Sequence, residues 1–198
     1  MRSSRRKEAK RVRRNRIMIG FVTIFIMLGG GLGIFASNIG INENTVPYNE
    51  HNFELTQRGW ELRLNNEMYY FTHHPIEVEN INANDEIFDK LKENDNILLS
   101  FDPNSFYFDI ISDSQFYLSE KLGRHGKNIG QGFSNESNYD VPIINCENSD
   151  ENTLVILFKE GEEENIDIEN NCIKAYSSYD EGFALIANKI LFGKLNII

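Results

Sequence analysis

Residues 96–133, NILLSFDPNSFYFDIISDSQFYLSEKLGRHGKNIGQGF, decide how this chain folds. Asn96 to Phe101 is a continuous apolar run bounded by polar residues, the pattern of a strand buried on both faces. Asp102-Pro103-Asn104-Ser105 then turns the chain into a helix over about 106–122. There Phe108, Ile111, Leu118 and Leu122 share one stripe, and Gly123 follows as the stop. Asn128 to Phe133 reads as a second strand, so the stretch is a βαβ unit. Ligands in such sheets gather beyond the carboxyl ends of the strands, which puts Asp102 and Asn104 at the natural crevice. Asp102, Pro103 and Asn104 also suffice to form the turn and cap the helix without any ligand, and the pattern carries both readings.

Upstream of this unit the period changes. Phe53 and Leu55 alternate within 51–57, Trp60, Leu62 and Leu64 alternate after a turn at Arg58-Gly59, and Met68 to Thr72 follow a second turn at Asn65-Asn66. Three short antiparallel strands, a β-meander, result. His73, His74 and Pro75 end it. Adjacent histidines in a strand point to opposite faces, so a shared metal would need His51 or His125 from elsewhere, and zinc-ligand spacing is absent. Asn84-Asp85-Glu86 supplies a cap and two acids for a helix over 84–93, with Ile87, Phe88 and Leu91 on one face.

Downstream, Leu154 to Phe158 is a second strongly apolar strand, and Asn165 to Ile168 and Cys172 to Tyr176 suggest two more. A helix over about 179–192 closes the domain before Gly193. Ser178 and Glu181 stand at capping-box spacing, and Phe183, Ile186, Ala187, Ile190 and Leu191 make its apolar face. The terminal Asn196-Ile197-Ile198 is expected to pack back on the domain. The fold class expected is α+β, one mixed domain of β-meander, βαβ unit and C-terminal helix behind an N-terminal transmembrane helix.

That N-terminal helix is Ile17 to Ala36, twenty residues without a charge or a proline. At about 1.5 Å per residue it reaches roughly 30 Å, the thickness of a bilayer's hydrocarbon core. A cleaved signal peptide is the competing reading, but its apolar region is shorter and ends in small residues, which Ile34-Phe35-Ala36 matches poorly. Gly29, Gly30, Gly31 and Gly33 leave a smooth face on which two spans can pack. Residues 1–16 carry nine cations against Glu8 alone, a net +8. Basic flanks stay inside, so 1–16 is a cytoplasmic tail, 37–50 a polar tether and 51–198 an extracytoplasmic domain at the cell membrane. Adjacency to the span favours this topogenic role over nucleic-acid binding, and no nucleic-acid partner is expected.

Outside the tail, 11 basic side chains face 29 acidic ones, a net −18. The acids are spread along the chain and make no calcium-loop pattern, so the charge reads first as solubility and second as a preference for cationic partners. Gly123 to Lys127 with Gly130 and Gly132 is glycine-rich, but it does not lie between strand and helix and lacks a phosphate loop's Lys-Ser or Lys-Thr ending. No cofactor or metal is therefore expected. Asn135-Glu136-Ser137 is the one glycosylation sequon. Cys146 and Cys172 both lie on the outer side, where oxidation favours a disulfide. The rival reading, Cys146 as a nucleophile, is weakened by Glu147 and Asp150, whose charge raises a thiol's pKa.

The frame of Gly59-Trp60, Tyr69 to Phe71, Pro75, Phe101-Asp102-Pro103-Asn104, Pro142-Ile143-Ile144 with Cys146, Asn171-Cys172-Ile173 and Ile190-Leu191-Phe192-Gly193 resembles a family of small archaeal single-span proteins of uncharacterised function. The resemblance spans about residues 50–198. Asn148-Ser149-Asp150 and Leu154-Val155 stand where that family has an Asn-Ala-Thr segment and a Pro-Val pair. It implies one outward-facing domain with paired cysteines and brings no catalytic residues. The function expected is a non-catalytic module that binds a partner or self-associates at the membrane. The alternative is an extracytoplasmic enzyme or small-ligand binder using the crevice by Asp102 and Asn104.

Overall fold

In the computed structural model, which describes residues 44–198, the apolar run Asn96–Phe101 is a strand with both faces covered. The compact unit is Val46–Ile198, and residues 44 and 45 lead into it. The predicted tail and span (1–36), and most of the tether, lie outside the described residues. Among the described residues no helix is long and apolar enough to cross a membrane.

The domain is mixed α+β, with two sheets. The first has the order β1-β2-β3-β4, with β1 at Thr45–Tyr48, β2 at His51–Thr56, β3 at Gly59–Leu64 and β4 at Glu67–Phe71. This is the expected meander, joined by one strand that the tether reading omitted. Its registers pair Leu55 with Trp60 and Leu62 with Tyr69. The β3–β4 turn holds Asn65 at φ 50° and Asn66 at φ 68°, the left-handed pair a tight hairpin demands.

The second sheet has the order β6-β5-β7-β9-β8. Its strands are β5 at Asn96–Phe101, β6 at Asn128–Phe133, β7 at Thr153–Glu160, β8 at Asn165–Glu169 and β9 at Cys172–Ser177. All neighbours run parallel except β8, which is antiparallel to β9. The helices are α1 (Asp85–Glu93), α2 (Phe108–Arg124) and α3 (Asp180–Lys194). From β5 the chain crosses through α2 to β6, then returns past β5 to β7. A right-handed return of this kind must pass over the sheet's opposite face. Residues 134–152 do so, with Ile144 packed beside Val155, Leu157 and Cys172, and Ser100 Oγ donating to the Ile144 carbonyl.

The main core lies on the helical face, where Ile97, Leu99, Ile156 and Ile173 meet α1, α2 and α3. The C-terminal helix α3 is buried at ten of its fifteen positions, Phe192, Asn188 and Lys189 included, although one apolar face was expected. The reason is that both sheets touch it. The Phe192 ring centroid lies 4.7 Å from that of Phe71 in the meander, and that of Phe183 lies 6.5 Å from Phe158 in the parallel sheet. Asn188 is accommodated there because its Nδ2 donates to Thr72 Oγ1 (2.6 Å) and Ala184 O (2.8 Å) while its Oδ1 accepts from Tyr117 Oη (3.1 Å).

Three helix-end expectations need correction. Asn84 does cap α1, Oδ1 accepting from Ile87 N at 3.2 Å. Gly123 and Gly193, however, are not stops: α2 runs to Arg124 and α3 to Lys194. Gly193 is instead a contact residue, since a Cβ there would lie 2.1 Å from the Phe88 ring of α1. The Ser178–Glu181 capping box does not form either. Tyr179 precedes α3 without a side-chain cap, and Ser178 Oγ faces Glu164 at 3.4 Å. The C-terminus packs back as expected, with Ile197 buried and its carbonyl accepting from Asn49 Nδ2 at 3.0 Å.

Candidate functional site

The carboxyl ends of three parallel strands converge on one cavity. β5 ends at Phe101, and Asp102, Asn104 and Ser105 follow it; β6 is followed by Ser134 and Asn135; β7 ends at Phe158, Lys159 and Glu160. Together with Asn145 from the strap 134–152 these residues line about 570 Å³ of open space. Outgoing connections from β5 and β7 leave in opposite directions along the sheet, which parts them and leaves the crevice. The volume is in the range typical of small-ligand sites, roughly 300–1,000 Å³.

Asp102 and Asn104 therefore both line this space, and both also build the turn. Asp102 Oδ1 accepts from Asn104 N (2.9 Å) and Nδ2 (3.2 Å), and Ser105 N donates to Asp102 O at 3.0 Å. The other oxygen, Oδ2, accepts from Asn135 Nδ2 at 2.9 Å. Turn chemistry thus uses one edge of the carboxylate, while the second ties the β5 loop to the β6 loop across the cavity wall. Glu160 does the same from β7, its Oε1 accepting from Ser105 Oγ at 2.6 Å and Phe106 N at 2.9 Å. Asn145 Oδ1 accepts from Glu147 N at 2.9 Å.

The sequon residue Asn135 is exposed, and Nδ2, the atom to which a glycan is attached, is the one bonded to Asp102. Two candidate sites that the sequence kept apart thus share one wall. Sequence reasoning missed Ser134, Asn145, Lys159 and Glu160. The signal for Lys159 and Glu160 was present, because they close the apolar run Leu154 to Phe158, but it needed the knowledge that β7 lies parallel to β5.

The sulfurs of Cys146 and Cys172 lie 2.07 Å apart, a bonded pair linking the strap to the first residue of β9. The nucleophile reading of Cys146 is thereby set aside. The two histidines separate as expected of neighbours. His73 Nε2 lies 3.5 Å from Glu181 Oε1, while His74 is buried with its ring 4.6 Å from Trp60, 5.0 Å from Phe53 and 6.0 Å from Tyr48. Burial among these rings holds the His74 imidazole below its ordinary pKa, against the opposing pull of the Val46 backbone, Glu77 and Glu79. Among the described residues no three His, Cys, Asp or Glu side chains gather as a metal-ligand set. Comparison with family models, with curated proteins and with solved structures finds no match to this chain.

Proposed function

We propose that this chain is a membrane-anchored extracytoplasmic binding protein, its span at 17–36 and its basic tail at 1–16 inside, whose outer domain holds a small polar ligand in the crevice beside Asp102 without transforming it. The open cavity at the carboxyl ends of β5, β6 and β7 is the observation that carries the reading. Support for the topology is the uncharged twenty-residue run behind a +8 flank, together with the resemblance to archaeal single-span proteins. The non-catalytic half follows from how the polar groups are used. Ser105 Oγ, the hydroxyl nearest a carboxylate, donates to Glu160 and accepts from Tyr107 N at 3.1 Å, and the same Glu160 oxygen accepts from Phe106 N at 2.9 Å, so hydroxyl and carboxylate are both engaged in starting the helix rather than held ready for a substrate.

The test uses the full chain in lipid nanodiscs. Thermal unfolding is followed against sugars, amino acids, polyamines, carboxylates and nucleosides, with Asn104→Trp as the variant that fills the crevice. A rise in midpoint with at least one class, abolished by Asn104→Trp, is the expected result. No rise with any class, or one the variant leaves intact, overturns crevice binding and returns the search to a protein partner or a second copy of the chain. Protease added to sealed cells is expected to remove the domain, and full protection overturns the topology.

A further inference from the structure

The hydrogen-bonding groups left open around the crevice define a ligand chemistry. Among the described residues no side-chain hydrogen bond engages Ser134 Oγ, Glu160 Oε2, Asn145 Nδ2 or Asn135 Oδ1, and Lys159 Nζ rests 5.8 Å from the Tyr176 ring centre. Donors and acceptors therefore both line one space, and the planar groups among them are held in place, Asn145 by its own loop and Asn135 and Glu160 by bonds to the β5 loop. An anionic ligand would face Asp102 and Glu160. A polyamine would offer donors to the acceptors but leave Asn145, Lys159 and the Ser134 proton unmatched. Hydroxyls, each both donor and acceptor, fit the mixed set.

A second cavity of about 450 Å³ adjoins the first, with Asn104 in the wall of both. It is lined by Tyr139, which is 62% exposed although its ring is backed by Phe108 and Phe133, at 6.2 and 5.8 Å between centres. An aromatic ring packed against other rings on one side and open on the other is a platform for the C–H face of a sugar ring. We propose that the crevice binds carbohydrate: one neutral sugar ring among Ser134, Asn145 and Glu160, and a neighbouring ring against Tyr139. This rests on the crevice-binding reading above and specifies its ligand.

Calorimetric titration of the full chain in nanodiscs tests it with cellobiose, maltose, mannobiose and diacetylchitobiose as probes, and spermidine and citrate as counter-probes. Saturable binding of at least one disaccharide is expected, weakened about tenfold by Ser134→Ala and by Tyr139→Ala, the loss of roughly one well-made contact. Among the described residues the Ser134 hydroxyl makes no hydrogen bond, so its removal leaves the fold intact even if Tyr139→Ala does not. Spermidine or citrate binding that Asn104→Trp blocks, with no disaccharide bound, overturns the carbohydrate assignment and leaves the crevice reading standing. Disaccharide binding unchanged in Ser134→Ala overturns the assignment to this crevice, and no binding by any compound class overturns both readings.

Discussion

The two faces of the parallel sheet are held by different means. On the helical face Ile97, Leu99, Ile156 and Ile173 are wholly buried, and Phe101 and Phe158 nearly so, beneath α1, α2 and α3. On the other face a much smaller cluster, Ile144, Val155, Leu157 and Cys172 with Leu98 and Cys146 at its edge, lies under the strap 134–152 alone. Helices shield a sheet by burying long apolar stripes, whereas a strap of irregular chain has few apolar side chains to offer. It is held instead by one covalent bond, by Ser100 Oγ on the Ile144 carbonyl, and by the short bridge of Phe133 N to Pro142 O (3.0 Å) and Ile144 N to Phe133 O (2.7 Å). The crevice opens where this strap begins, at Ser134 and Asn135. A site that needs loops thus sits on the side of the sheet that is least committed to the core.

The largest effect should come from the helical face. Phe158→Ala removes a ring that is 1% exposed and packs towards Phe183, and its cost is expected at about 3–5 kcal/mol in denaturant unfolding of the full chain. A cost near that of a surface change would mean that the face is not the core it resembles.

The strap should respond next. Cys146 and Cys172 are 26 residues apart, and cross-linking a loop of that length stabilises by roughly 3–4 kcal/mol in the chain-entropy picture, commonly less in practice. Reduction, or paired Cys146→Ser and Cys172→Ser, should therefore cost about 2–4 kcal/mol and loosen the crevice wall at Asn145, read as faster amide exchange over 134–152 than over α2. Uniform exchange across both regions would erase the distinction between the two faces.

How much of this was legible depended on local pattern. β5, β6 and α1 appear within a residue of their expected bounds because a continuous apolar run, a turn and an Asn cap are written in neighbouring residues. β1 did not, since Thr45-Val46-Pro47-Tyr48 has too few residues for alternation and a proline besides, and it earns its place only by pairing at the sheet's edge. Gly193 illustrates the opposite error. Its sequence position suggests a stop, but the Phe88 ring, more than a hundred residues earlier, is what requires a residue without a side chain. The crevice was half legible: Asp102 and Asn104 follow from the βαβ unit, while Ser134, Asn145 and Glu160 depend on strand order, which no local pattern encodes.

The smallest effect separates the two faces by a different reagent. His74 sits at the start of a short turn after the meander, on the α3 side, where its Nδ1 accepts from Ile76 N at 3.3 Å while Nε2 has no partner among the described residues. Desolvation favours the neutral ring, so its folded-state pKa lies below the ordinary value of 6.5. Between those two values the unfolded chain binds more protons than the folded one, and stability must fall as pH drops below about 6.5. Glu77, Glu79 and the Val46 backbone oppose the shift, which keeps the slope shallow. His74→Asn retains an acceptor for Ile76 N and is expected to reduce the slope between pH 7 and 5, leaving the share of His125, whose imidazole burial also holds below its ordinary pKa against the pull of Glu67. Acid should thus loosen the meander and its contact with Phe192 while leaving the strap in place, and reductant should do the reverse. Exchange rates that rise in the strap on acidification, or a slope that His74→Asn leaves unchanged, would show that the titrating group lies elsewhere.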